Sequence, residues 1–335
     1  MRHLAPSSVA RPVRRTPAFA AGLAALALAA TSLGGPATAA PPSQELKPAK
    51  LPAGAQTTVP YFDGSTLVAG ETTIETKLRG HAEVLGTNAE GEHLVSAQRP
   101  RGVTVAWVSP ESNRVVLRTK RPFTVVASTD LSRVVLSTHR QAATVIRVHT
   151  TTDGNRVAAR KFRGFVQVPA AAPKRVLVSR GEGGPQGTWW WRIGPDRTRK
   201  ISPHRAFEVA LPYDRMALLE GDPYQGYCQR VVRVSAPRKT IWRSCEERVE
   251  AFSPSGRMAT VDLLSDGLGP TQVIVRRPGG RAVKRYHTPG WFADIAWEGK
   301  RALIVHAVGT KRAAYVRCLP KRCERASELK PRPNL

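Results

Sequence analysis

The chain has 335 residues, and its 52 Lys and Arg against 25 Asp and Glu give a formal charge of +27, with Arg outnumbering Lys 39 to 13. Such a surplus favours anionic partners and says nothing about fold. The sequence holds no Gly-x-Ser-x-Gly elbow, phosphate-binding loop, His-Glu-x-x-His or dinucleotide fingerprint, which excludes the enzyme classes built on them.

Residues 1–39 read as a secretory signal peptide. Arg2, Arg11, Arg14 and Arg15 precede an Ala/Leu-rich run from Ala18 to Leu33, followed by Gly-Gly-Pro and Ala37-Thr38-Ala39. The basic, apolar and small-residue order fits cleavage after Ala39, and the run is too short and Ala-rich for a spanning helix. Removing those four arginines and no acidic residue leaves +23. The expected location is secreted or envelope-associated, with no transmembrane segment in the mature chain. Residues 40–58, with Pro41, Pro42, Pro48 and Pro52, read as a solvated Pro-rich linker.

The remainder, residues 59–330, is organised by a repeat. Arg133, Arg175, Arg215, Arg257 and Arg301 each open a similar apolar run, at spacings of 42, 40, 42 and 44, and 41 residues before the first stands Glu92-His93. Each unit reads as four short runs rich in β-branched residues and separated by Gly, Pro, Ser or Asp. The six full units are 81–120, 123–162, 165–201, 207–244, 249–286 and 292–329. A four-stranded meander cannot cover both its faces, so the units must stack, and a closed stack leaves only short edges. The fold class is therefore all-β, a single β-propeller. Thr66-Leu67-Val68-Ala69 and 72–78 resemble the last two strands of a further unit, so the ring has seven blades with one shortened, or six plus an N-terminal hairpin.

The cysteines follow from this frame. Cys228 starts the third strand of its unit and Cys245 ends the fourth, and pairing Val234 with Lys239 sets the two opposite one another. Cys318 and Cys323 flank the equivalent turn of the last unit. Facing positions of an antiparallel pair lie within disulfide reach, and export favours bridges over the rival zinc reading, for which the spacings fit poorly.

Ala251-Phe252-Ser253-Pro254-Ser255-Gly256-Arg257-Met258-Ala259 resembles the strand-turn-strand motif of TolB-like and WD-like bacterial propellers, and 108–116 is a looser copy. The resemblance implies the propeller fold and a secreted bacterial setting. It implies no activity, because the fold carries many. Ser255 stands where such turns usually hold an acid, and no Trp-Asp pair occurs, so the WD hydrogen-bonded tetrad does not carry over.

Arg79, Arg121, Arg163, Arg205 and Arg248 recur at the junction between one unit's last strand and the next unit's first. In a propeller that junction opens on the channel-mouth face, so these arginines form a candidate anion-binding crown there. Their rival role is structural pairing with acids of adjacent blades. Phe123, Phe165 and Phe207 follow three of them and read as blade packing. Asp130, Asp153, Asp214 and Asp262 sit beside turns and read as turn stabilisers. Glu182, Asp222 and Asp266, in loops between second and third strands, are the candidates for carboxylate chemistry. Trp189-Trp190-Trp191 alternate sides of a strand and read as packing rather than a sugar platform.

The expected protein is an exported, monomeric, non-enzymatic binding scaffold without cofactor or catalytic residues. Its channel-mouth face holds an anionic envelope polymer or an acidic protein, and export argues against nucleic acid. The alternative is a polysaccharide- or peptide-processing enzyme with carboxylates at the same face.

Overall fold

A computed structural model describes residues 40–120, 124–181, 186–221, 226–265 and 267–333. Residues 1–39, expected to be a signal peptide, and Arg121, Phe123, Glu182, Asp222 and Asp266 lie outside the described residues.

Seven antiparallel sheets form the blades of a ring. Blade 1 follows β1 (Ser43–Glu45) and has three strands, β2 (Tyr61–Asp63), β3 (Thr66–Ala69) and β4 (Thr72–Glu75). Blade 2 has β5 (His81–Thr87), β6 (His93–Arg99), β7 (Gly102–Val108) and β8 (Asn113–Thr119). Blade 3 has β9 (Thr124–Ala127), β10 (Arg133–Arg140), β11 (Ala143–Thr150) and β12 (Arg156–Arg163). Blade 4 has β13 (Val166–Ala172), β14 (Arg175–Arg180), β15 (Gly187–Arg192) and β16 (Arg197–Ser202). Blade 5 has β17 (Arg205–Ala210), β18 (Arg215–Glu220), β19 (Cys228–Val232) and β20 (Thr240–Ser244). Blade 6 has β21 (Glu247–Phe252), β22 (Met258–Asp262), β23 (Gln272–Arg276) and β24 (Ala282–His287). Blade 7 has β25 (Trp291–Glu298), β26 (Ala302–Val308), β27 (Arg312–Cys318) and β28 (Cys323–Arg325), and β29 (Lys330–Pro331) pairs with β27.

The repeating arginine marks the second strand throughout: Arg133, Arg175 and Arg215 begin β10, β14 and β18, and Arg257 and Arg301 immediately precede β22 and β26. The ring has seven blades, one shortened. The two runs expected to be that blade's last strands are instead its second and third, because β2 supplies an innermost strand packed beside β5. Tyr61-Phe62-Asp63 is too short to show a strand period, so only its neighbours reveal it.

Apolar clusters fill the spaces between blades. Trp191 joins Val135, Ile146 and Val148 between blades 3 and 4, while Trp190 joins Ala206, Met216 and Leu218 between blades 4 and 5. The tryptophans thus divide between two interfaces, as strand alternation requires. Close backbone approach fixes some glycines: a Cβ on Gly154 would stand 2.1 Å from the carbonyl oxygen of Val116 in the neighbouring blade, and its φ is +72°.

Residues 40–58, expected as a solvated linker, are a strap laid across blades 6 and 7. β1 adds in parallel to β24, Leu46 is fully buried, and Ala53 bridges to Arg325. Thr58 N and Oγ1 donate to Glu298 at 2.7 and 3.0 Å. The prolines that suggest a linker instead hold an extended path whose backbone finds partners on the blades, including Arg285 N donating to Pro42 O at 3.0 Å.

Both cysteine pairs stand at disulfide distance, with Cα separations of 4.0 Å for Cys228–Cys245 and 4.2 Å for Cys318–Cys323. The Gln229–Ser244 register continues to the first pair, but a bulge between Val231 and Val232 shifts the pairing nearer the turn, so the Val234–Lys239 pairing does not persist there. Closing the longer loop is expected to contribute about 3 kcal/mol and the short one less. Reduction should lower the melting temperature while leaving the cold strand signal intact. Four free thiols, or crossed pairing, in non-reduced peptide maps would refute the assignment.

Candidate functional site

The junction arginines do not share one environment. Arg79 and Arg163 are exposed, Arg205 is half-buried, and none of the three makes an ion pair among the described residues. Arg248 differs: its Nε donates to Glu250 at 2.6 Å, and its Nη atoms donate to the carbonyls of Leu263 and Ser265, both at 2.9 Å. Each nitrogen of that guanidinium is thereby engaged, Nε within β21 and the two Nη atoms in holding the start of β21 to the loop after β22. At this position the structural role outweighs the anion-binding one.

A second periodic feature escapes sequence reasoning. The innermost strands of blades 5, 6 and 7 each carry a β-bulge against their second strand, after Ala206, Val249 and Phe292. Each bulge holds a carboxylate: Glu208, Glu250 and Asp294, spaced 42 and 44 residues apart. Bulges free a residue from the ladder and re-aim its side chain, and they gather beside functional openings. The period of 42 and 44 residues is the available signal, but at Glu208 and Glu250 a carboxylate two or three residues past an arginine looks like an ordinary ion pair. Arg248 and Glu250 do pair; Glu208 has no cation partner among the described residues. Its burial, with the like charge of Glu250 adding, pushes its pKa up to about 7.

Cations collect on blades 3 and 4. Between Arg156 and Lys200 there are eleven Lys and Arg against two acids, Glu182 and Asp196. Among the described residues Arg160–Asp196, at 2.8 Å, is the ion pair of this stretch. A cleft of about 300 Å³ between the two blades is lined by Arg160, Lys161, Arg163, Arg180 and Trp189. Arg180 and Lys200 lie 5.7 and 5.4 Å from the Trp189 ring centre, and Arg180 Nε is buried with no acceptor among the described residues. Arg205, at the next junction, packs against Gly181 just beyond Arg180. A second basic cleft of about 520 Å³, lined by Lys174, Arg175, Arg192, Arg197 and Arg199, lies at the other end of blade 4, where Arg175 stacks on Trp190 at 4.1 Å.

The turn carboxylates act locally. Asp130 accepts from Ser128 Oγ at 2.6 Å and Ser132 N at 3.2 Å, and Asp153 accepts from Asn155 N at 3.1 Å. Asp214 instead reaches another loop of its blade, where Ser235 N donates to it at 2.8 Å. Among the described residues no group of three His, Cys, Asp or Glu side chains is placed to hold a metal, and no helix is long and apolar enough to cross a membrane.

No protein-family model matches the chain, and no curated protein matches it. Solved structures do. The β-propeller domain of the Trilobed protease from Pyrococcus furiosus, described as having an open velcro topology, aligns at TM-score 0.56 and 10% identity over 78% of this chain and 86% of that one. Uncomplexed Pyrococcus horikoshii acylaminoacyl peptidase aligns at TM-score 0.57 and 12% identity over 78% of this chain, which spans 48% of the peptidase. The uncharacterized protein lmo1340 from Listeria monocytogenes EGD-e aligns at TM-score 0.48 and 16% identity, over 76% and 87% of the two chains. At such identities the likeness shows the fold alone, and this chain is by fold a seven-bladed β-propeller.

Proposed function

We propose that this protein is an exported, non-enzymatic propeller scaffold that binds an anionic envelope polymer or acidic protein on its channel-mouth face, at blades 3 to 5. One observation carries the reading: Arg163 and Arg180 line one cleft, and the buried Nε of Arg180 has no acceptor among the described residues. A buried donor without a partner costs on the order of 1–3 kcal/mol, and a bound anion would remove that cost. Guanidinium groups take phosphate or carboxylate bidentately, and Trp189 beneath Arg180 and Lys200 keeps the cations at the rim. Arg205 extends the site towards blade 5, whereas Arg248 is committed to Glu250 and two carbonyls. The cysteine pairs support an oxidising location.

The test compares three triple variants of equal charge change. One replaces Arg163, Arg180 and Arg205 by Ala, the second Arg175, Arg192 and Arg197 at the other end of blade 4, and the third the exposed Arg277, Arg281 and Arg301 of blades 6 and 7. Retention on immobilised polyphosphate and on polyglutamate is measured at fixed salt for variants that melt as the parent does. The first should lose at least tenfold on one polymer and the third little. Equal losses in all three would leave only diffuse charge, and a loss confined to the second would put the site on the opposite face.

A further inference from the structure

Six of the seven blade interfaces are filled by apolar clusters, and the seventh, where the first blade meets the last, is not among them. A cavity of about 550 Å³ lies there, bounded by β2, β5 and blade 7. Its aromatic wall is Tyr61 and Tyr315, with ring centres 4.2 Å apart, and His306 stacks on Tyr315 at 4.7 Å. Its charged lining is Glu83 and Asp294, with His81 beside them, and among the described residues no Lys or Arg contributes. In a chain with twice as many basic as acidic residues, that composition inverts the surrounding charge.

Both carboxylates are held but not neutralised. One oxygen of Glu83 accepts from Ser96 Oγ at 2.9 Å, and one oxygen of Asp294 accepts from Tyr315 Oη at 2.8 Å. Asp294 keeps 62% of its side chain exposed, on the bulge of β25. Burial lowers the His306 pKa although Asp294, 3.8 Å from its Nδ1, acts the other way, so burial disfavours an imidazolium beside that carboxylate. Burial, then the charge of Asp294, holds the Tyr315 phenol well above its usual range, so it remains a donor fixing that carboxylate.

We propose that this seam cavity binds a small organic cation carrying a primary ammonium group, with the ammonium between Glu83 and Asp294 and its body against Tyr61 and Tyr315. Carboxylates supply charge-assisted acceptors for an ammonium, and since the faces of Tyr315 are taken by Tyr61 and His306, the tyrosines offer the body of the ligand an apolar wall rather than a cation–π contact. The volume suits a small molecule. A bare metal ion fits poorly, because no three ligating side chains converge among the described residues. The ligand touches blades 1, 2 and 7 together, so binding is linked to ring closure and stabilises the fold. This site is independent of the anion site on blades 3 to 5.

Calorimetry and thermal melting with n-hexylamine, n-hexanol and calcium as probes test the proposal on the unmodified mature protein. Hexylamine should bind saturably and raise the melting temperature, with hexanol and calcium at least tenfold weaker. Glu83→Gln, and separately Asp294→Asn, should weaken hexylamine at least tenfold while melting without ligand stays close to the parent. Equal binding of amine and alcohol, preference for calcium, no binding of amine, or unchanged affinity in a folded Glu83→Gln variant would each overturn it. The amine-to-alcohol comparison needs no variant, so it decides the matter even if a substitution prevents folding.

Discussion

Replacing Arg317 by Ala should cost about 3 to 5 kcal/mol and lower the melting temperature by on the order of 10 °C. Arg317 lies on β27 and joins the strap to blade 7. Its Nη2 donates to Glu298 at 2.9 Å and its Nη1 to Glu324 at 3.2 Å, while Nε also meets Glu298. The same guanidinium donates to the carbonyls of Ala55 and Gln56 on the strap, both at 2.9 Å. The Arg317 side chain is 11% exposed and those of Glu298 and Glu324 17%, so removing the cation strands two carboxylates in a desolvated seam. The strap loses one of its anchors at the same moment.

The acid side of this stability has a defined sign. Burial alone would raise the Glu298 pKa, but the hydrogen bonds from Arg317 and Thr58 overcome it and hold the group at about 2, below the ordinary glutamate value of 4.5. A depressed carboxylate contributes stability above its unfolded pKa and loses it as pH falls through the folded one. The parent should therefore weaken between about pH 4.5 and 2 more steeply than Arg317→Ala does. Parallel melting curves for the two across that window would mean that Glu298 owes its ionisation to something other than Arg317.

Glu208→Gln should act in the opposite direction, stabilising the protein above neutrality. The Glu208 pKa is raised to about 7, so the folded state holds a proton that the unfolded chain releases near 4.5. Between those values stability falls as pH rises, by on the order of 2 kcal/mol after allowing for partial solvent contact. Glutamine removes the ionisation at nearly equal shape. The charged group acting on this position is Glu250, whose like charge opposes ionisation and which is itself paired with Arg248. The two proteins should melt alike at about pH 4 and diverge by several degrees at about pH 8. A gap that does not change with pH would show that Glu208 titrates in the folded protein as it does in the unfolded chain.

Much of the architecture is legible in the residues because a propeller writes its period into the chain. Arg133, Arg175 and Arg215 recur because each blade needs the same turn into its second strand, and alternation splits the tryptophans between interfaces. The cysteine pairs follow from hairpin register, since facing positions on neighbouring strands are a local property. Long-range contacts are a different matter. Proline content makes residues 40–58 look solvated, and only packing across blades 6 and 7 shows Leu46 buried and Thr58 on Glu298. Arg248 follows Arg163 in the phase of the repeat, yet it lies in an innermost strand, where Glu250 and two carbonyls claim it, while Arg163 ends an outermost strand without an ion pair among the described residues. The repeat, the blade and the disulfide staples can be read from residues alone because they depend on neighbours within about one repeat length of forty residues. Which of the repeated side chains are free to meet a ligand cannot, because ring closure brings Tyr61 against Tyr315 and sets the chain's two ends around one cavity.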